Sequence, residues 1–181
     1  MMGKHECRQA HHTDLKGAIY IGLDEALTAL EESVYDLNDE HIWAFPLPGE
    51  NNIAWILMHS LQNLDEYADL AQGGEAVFAH EGRWDLWQCA DDERPVPGDA
   101  FPTQRECVDI LAGVRAAAME RISAATRKDL RREFPDWQNR TRADAYMRTI
   151  FHTMSHIRQI WLLRGVMGLT GGKLLPQQHW A

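Results

Sequence analysis

The chain lacks the cysteines of a disulfide-stabilised protein. Its 181 residues include three, Cys7, Cys89 and Cys107, and no CxxC pair occurs. An odd number at wide spacing argues against both a disulfide scaffold and a structural zinc knot. We therefore expect a cytoplasmic protein in which no cysteine is required as a nucleophile.

Long apolar runs are also absent. No stretch approaches the roughly 18 apolar residues of a membrane span, and the N-terminal sequence MMGKHECRQAHHTDLKG has no apolar core of a secretory signal. The formal net charge is -9 and the pI is near 5.4, which disfavours phosphate-rich partners. We expect a small-molecule substrate, with neither nucleic acid nor membrane as a partner.

Strand-like alternation, internal repeats and low-complexity segments are missing as well. Apolar residues recur instead at steps of three and four, which is the pattern of helices with one buried face. The predicted helices span residues 14–37, 51–71, 103–127 and 141–167. With 45% hydrophobic residues, the chain can form one core, so we predict a single all-α domain, an antiparallel four-helix bundle over 1–181. Residues 1–13 are expected to form a mobile extension.

The connection between the second and third helices is long, from Gly73 to Pro102, and rich in Gly, Pro, Asp and Trp. Such loops are uncommon in compact domains. Its length makes a crossover topology possible, in which these two helices are not simple hairpin neighbours. Trp84 and Trp87 are expected to hold this loop against the bundle.

Histidines interrupt two of the predicted helices. His152 and His156 lie one helical turn apart, a spacing at which two imidazoles can reach one metal ion. On the second predicted helix, His59 likewise lies within a polar stripe that large apolar side chains flank. Either these stripes face water or they line a polar pocket between helices. From His152 onward this stripe offers His152, Ser155, His156 and Gln159 where a solvated face usually carries Lys, Arg and Glu, which favours the pocket.

Two segments resemble the DinB/YfiT-like superfamily of four-helix bundles. PGENNIAWILMHSLQNLDEY is similar to the family's second-helix segment with its single metal-binding histidine, and FHTMSHIRQIWLLRGVMG is similar to its fourth helix. The similarity extends from about Ala18 to Gly168. The resemblance implies that His59, His152 and His156 bind a metal. Many members have HRGQ where this chain has HIRQ, so Gln159 is retained and the glycine is lost.

The resemblance implies a metal-dependent enzyme, either a thiol S-transferase or a hydrolase, that acts on a small electrophile. Three imidazoles suit Zn²⁺, Ni²⁺ or Fe²⁺, and a low-molecular-weight thiol is a possible co-substrate. Gln159 could orient a water or a ligand through hydrogen bonds or serve only in packing, and Glu66 could act as a general base or remain a solvated carboxylate. Tyr67 could line the pocket. The alternative is a non-catalytic, stress-associated binding protein with a structural or vestigial metal. A homodimer is expected in both cases, because the fourth helix is apolar nearly all round.

Overall fold

A computed structural model describes residues 14–69, 102–134 and 140–169. These residues form six α-helices and one two-stranded antiparallel hairpin. The elements are α1 (Leu15–Val34), α2 (Asp39–Trp43), α3 (Ile53–Leu64), α4 (Gln104–Ala124), α5 (Arg127–Leu130), β1 (Glu133–Phe134), β2 (Arg140–Thr141) and α6 (Arg142–Val166). Within these ranges, no helix has the length and apolarity that crossing a membrane requires.

The four long helices α1, α3, α4 and α6 confirm the four predicted ones, with ends that differ by a few residues. The predicted apolar stripe of α1 is fully buried and forms one wall of the core: Ile19, Leu23, Ala26, Leu27, Leu30 and Val34. A further short helix, α2, forms between α1 and the segment that contains Pro46, Pro48 and Gly49. Asn38 and His41 cap its N-terminus reciprocally, which makes a short helix possible before the prolines.

The second long helix begins where the Asn52 side chain accepts a hydrogen bond from the backbone N–H of Trp55, at 2.8 Å. It was predicted to continue to residue 71. The α-helix ends at Leu64, and the chain continues as a π-helical turn, Asp65–Asp69. Such wider turns are rare in proteins and occur frequently near functional sites.

Capping boxes fix the starts of the other two long helices, as the sequence predicts. The Thr103 hydroxyl and the Glu106 carboxylate cap α4 reciprocally, and Thr141 and Asp144 do the same for α6. The hydrogen bonds from Thr141 hold the pKa of the Asp144 carboxyl below its usual value. These caps determine where α6 begins and therefore fix the position of its two histidines along the bundle.

Helices α1 and α6 run in the same direction. A Cβ atom at Gly22 would lie 3.2 Å from Cδ1 of Ile150, and further along both helices Nη1 of Arg164 donates to the Ser33 carbonyl at 3.0 Å. Helix α4 runs opposite to α1, because Gln104 at its start reaches the carbonyl of Val34 at the end of α1.

Helix α3 runs opposite to α6, because His59 faces His152 while Tyr67, further along, contacts Arg148. The long helices therefore form the ring α1, α6, α3, α4, in which α3 and α4 are parallel neighbours. The prediction of a purely antiparallel bundle was wrong, and the crossover alternative holds. Parallel neighbours need a connection that returns along the bundle, and the sequence between residues 69 and 104 is long enough to do so.

Two arginine clusters fasten the helices of this ring to one another. Arg115 on α4 donates to Asp24 and Glu31 on α1, at 2.6 and 3.1 Å. Arg164 on α6 is 1% exposed and forms two hydrogen bonds with the Asp36 carboxylate, at 2.7 and 2.9 Å. These bonds hold α6 in fixed register against the end of α1.

Three expectations lie outside the described residues. They concern the N-terminal extension 1–13, the connection after Gly73 up to residue 101, and the tryptophans Trp84 and Trp87.

Candidate metal centre

Three histidines from two helices meet in one place. His59 is on α3, and His152 and His156 are one turn apart on α6. The ring centroid of His59 lies 5.0 Å from that of His152 and 5.1 Å from that of His156, and the latter two are 4.4 Å apart. All three side chains are half-buried. The stripes therefore face each other between the helices, and the interpretation that they simply face water is wrong.

The ring nitrogens are close enough to share one ion. One nitrogen from each imidazole can be chosen so that all three lie within 4.8 Å of one another. The Nε2 atoms of His152 and His156 are 3.1 Å apart. Two nitrogens bound to the same ion at about 2.1 Å lie about 3.0 to 3.4 Å apart. The residues present therefore fit a divalent metal ion, and the group could hold one.

Gln159 determines which nitrogen of His156 can bind a metal. Its Oε1 atom lies 2.5 Å from Nδ1 of His156. An amide oxygen can only accept, so Nδ1 carries the hydrogen and donates it. The lone pair of the imidazole then resides on Nε2, the atom that faces His152. Gln159 thus occupies the supporting position that the sequence suggested for it.

Burial keeps the imidazoles of α6 neutral. It lowers the pKa of His152 to about 4, and the nearby charges of His156, His59 and Arg148 act in the same direction. Burial also lowers the pKa of His156, although the hydrogen bond to Gln159 opposes this effect. The neutral form, which both side chains hold at neutral pH, is the form that coordinates a metal.

The indole ring of Trp55 supports His59 from one side. Trp55 lies one turn before His59 on α3, and the two rings stack with centroids 4.7 Å apart and planes inclined by only 11°. The sequence identified Trp55 only as an apolar residue at the edge of the stripe. Its spacing of four residues from His59 was the available signal, since such pairs meet on a helix surface.

Glu66 and Tyr67, which the sequence suggested as a carboxylate and a phenol near the site, lie in the π-helical turn that follows α3. Glu66 is half-buried, and its Oε1 accepts a hydrogen bond from Nε2 of Gln62 at 3.2 Å. The Tyr67 ring packs against Arg148, whose Cζ is 5.4 Å from the ring centroid. Sequence reasoning missed Arg148, although it lies four residues before His152, the spacing that brings it onto the same face of α6.

His41 and Cys107 have structural roles and do not contribute to the site. His41 caps α2, where its Nδ1 accepts from the backbone N–H of Asn38. Cys107 is buried in the core, and burial raises the pKa of its thiol to about 12. A thiol with such a pKa is not ionised at neutral pH and cannot act as a nucleophile.

Comparisons with known proteins agree with this architecture. The family profile described as the DinB superfamily matches residues 23–160. A solved structure of a conserved protein from Enterococcus faecalis superimposes with a TM-score of 0.58 at 16% sequence identity. The alignment covers 83% of this chain and 96% of that one. At this identity the likeness concerns the fold alone. None of the curated proteins matches the chain.

Proposed function

Because the chain belongs to the DinB superfamily, we propose that it is a metal-dependent enzyme whose divalent ion is held by His59, His152 and His156. The observation that carries the proposal is the convergence of these three half-buried imidazoles from two helices. Zn²⁺, Ni²⁺ and Fe²⁺ all suit an all-imidazole donor set. Three protein ligands leave coordination positions for water or substrate, which is the pattern of catalytic sites.

The proposed reaction is thiol S-transfer or hydrolysis of a small electrophile. A divalent ion in such a site lowers the pKa of a bound water or thiol, which supplies a nucleophile at neutral pH. For S-transfer the nucleophile is a low-molecular-weight thiol, and for hydrolysis it is water. The proposed thiol is a separate molecule. Cys107 does not supply it, because its side chain is buried in the core.

The protein side chains around the histidines would act by orientation. Gln159 fixes the tautomer of His156 and hence the direction of its lone pair. Trp55 limits rotation of the His59 ring. We propose Glu66 as a base or a water-holding group, because its half-buried carboxylate lies in the π-helical turn that continues the chain after His59 and α3.

We also propose that the protein acts as a cytoplasmic homodimer. Support comes from the outer face of α6, where Phe151 is 65% exposed and Leu162 is 61% exposed. Met154 and Val166 extend this apolar face. Light scattering coupled to size exclusion should give twice the mass of the chain, and Leu162→Glu should shift the mass toward the monomer. A monomeric wild-type protein would refute the dimer without affecting the metal proposal.

Elemental analysis tests the metal proposal directly. We expect about one divalent ion per chain after reconstitution in the wild type, and loss of that ion in His152→Ala. His41→Ala is the matched control, because His41 only caps α2 and its removal should leave the metal content unchanged. A wild-type protein that takes up no metal would refute the proposal.

A screen of low-molecular-weight thiols and of water against model electrophiles then separates the two reactions. Turnover that depends on an added thiol identifies a transferase, and turnover without one identifies a hydrolase. Bound metal without turnover in either screen would instead support the non-catalytic alternative.

A further inference from the structure

A second cluster of polar side chains adjoins the three histidines on one side. Arg148 precedes His152 by four residues on α6, which places it about 6 Å along the axis on the same face. From the opposite helix, Asn63 follows His59 by four residues. Tyr67, in the π-helical turn, lies one turn further on. The guanidinium of Arg148 lies 5.4 Å from the centroid of the Tyr67 ring. The cluster therefore bridges the groove between α3 and α6 beside the metal centre.

We propose that this cluster recognises a carboxylate on the substrate or on the thiol. This inference rests on the function proposed above, in which the reactive atom of that molecule binds at the three histidines. Arg148 would bind the carboxylate, and Tyr67 would hold the guanidinium in position. A guanidinium carries five N–H donors in one plane, so it can serve a ligand as well as partners within the protein.

Two positions connect this cluster to the metal centre. Arg148 lies one turn before His152 on α6, and Asn63 lies one turn after His59 on α3. The Oδ1 atom of Asn63 is buried and has no hydrogen-bond partner in the described part of the chain. The same holds for Nδ1 of His152. A donor on the bound ligand would satisfy Oδ1 of Asn63, whereas the ligand's carboxylate can only accept, as from Arg148. Buried polar atoms without partners otherwise cost free energy.

The net charge of the protein helps to identify the source of any preference for an anionic ligand. A net charge of -9 repels small anions at long range. A site that nevertheless prefers an anion must do so through a local cation. A preference for an anionic ligand over its neutral isostere would therefore trace to local cations, which are the bound metal ion and Arg148. The Arg148→Gln variant separates these two sources.

The test uses two thiols that differ only in this charge, 3-mercaptopropionate and 3-mercaptopropionamide. Full-length protein reconstituted with Co²⁺ reports thiolate binding through its charge-transfer absorption, so affinity is measured without turnover. We expect wild-type protein to bind the carboxylate about tenfold more tightly than the amide, the scale of one charge-assisted hydrogen bond. Arg148→Gln should abolish this preference, and Arg148→Lys should retain part of it.

Arg158→Gln is the matched control. It removes the same charge from an exposed position of the same helix, and it should leave the preference unchanged. Equal binding of the two thiols by wild-type protein, binding of neither, or an unchanged preference in Arg148→Gln overturns this inference while the metal proposal stands. Failure of wild-type protein to take up Co²⁺ overturns both, and elemental analysis of the same sample distinguishes that case.

Discussion

The indole of Trp55 and the imidazole of His59 lie nearly parallel, 4.7 Å apart, one helical turn from each other on α3. His59 is the one member of the triad on α3, because the other two histidines come from α6. A rotation of its ring would therefore remove all that α3 contributes to the triad. The stacked indole restricts this rotation before any ligand is present.

Replacing Trp55 should weaken metal binding without unfolding the protein. We expect Trp55→Ala to raise the metal dissociation constant by roughly 3- to 10-fold, the equivalent of one aromatic pair, and Trp55→Phe to restore most of the affinity. Competition with a chromophoric chelator measures the constant. An unchanged constant in Trp55→Ala would show that the stacking does not orient His59.

Replacing Gln159, which lies on α6, should also weaken metal binding. Gln159→Leu keeps the size but removes the acceptor for Nδ1–H of His156, so the tautomer is no longer fixed. Supporting partners of this type are worth about 10- to 100-fold in metal affinity, and isothermal titration should detect the loss. Gln159→Glu keeps an acceptor and should bind metal at least as well as the wild type, which separates orientation from packing.

The Arg164–Asp36 pair should make stability depend on pH in acid. The hydrogen bond and charge of Arg164 hold the pKa of the Asp36 carboxyl below its ordinary value of 3.8. The stabilisation is therefore complete above about pH 4 and is lost as pH falls through the lower, folded-state pKa. In urea unfolding between pH 2 and 6, the free energy of unfolding should fall less with decreasing pH in Asp36→Asn than in the wild type.

Asp109→Asn is the control for that measurement, because Asp109 pairs with Arg105 at the surface, where the side chains are 60% and 82% exposed. Exposed pairs contribute little. The free energy of unfolding of Asp109→Asn should therefore fall with decreasing pH as much as that of the wild type. An Asp36→Asn protein in which it also falls as much as in the wild type would contradict the assignment. Arg164→Met should cost about 1 to 2 kcal/mol at neutral pH, because the Ser33 carbonyl loses its donor while the Asp36 side chain, 29% exposed, can be hydrated.

Two glycines near the end of α6 should respond in opposite directions. Gly168 has a φ of +74°, and the next residue, Leu169, donates its N–H to the Arg164 carbonyl at 2.8 Å, which closes the helix. Gly168→Ala should destabilise the protein by about 1 kcal/mol. Gly165→Ala, in the exposed last turn with open space around the added methyl group, should stabilise it by up to about 1 kcal/mol. Thermal unfolding of both variants provides the comparison.

The sequence predicted the long helices well because their starts and buried faces are local properties. Thr103 with Glu106 and Thr141 with Asp144 are readable as capping pairs, and both form. The histidine triad was also predictable, although its strongest support was the family resemblance and not the spacing. Half-burial of His59, His152 and His156 agrees with that prediction.

Features that depend on tertiary packing were not predictable in this way. The parallel arrangement of α1 and α6 follows from how the ring of helices closes, which no short window of sequence encodes. Met154 lies on the side of α6 opposite the histidines together with buried Ile150 and Ile157, yet it is 37% exposed, because the arc that α6 buries is set by α1 and α3 together. Arg148 was missed for the same reason, since its partner Tyr67 lies on another helix.

The separation of the triad along the chain has a consequence for assembly. His59 and His152 are about ninety residues apart, and they meet only after α3 has docked against α6. Of the three proposed ligands, only His152 and His156 are close in sequence, and two ligands form a far weaker chelate than three. Under the proposed function the ion would therefore bind the folded chain in preference to the unfolded one, and metal supply should set both how much protein is loaded and how much stability the fold gains.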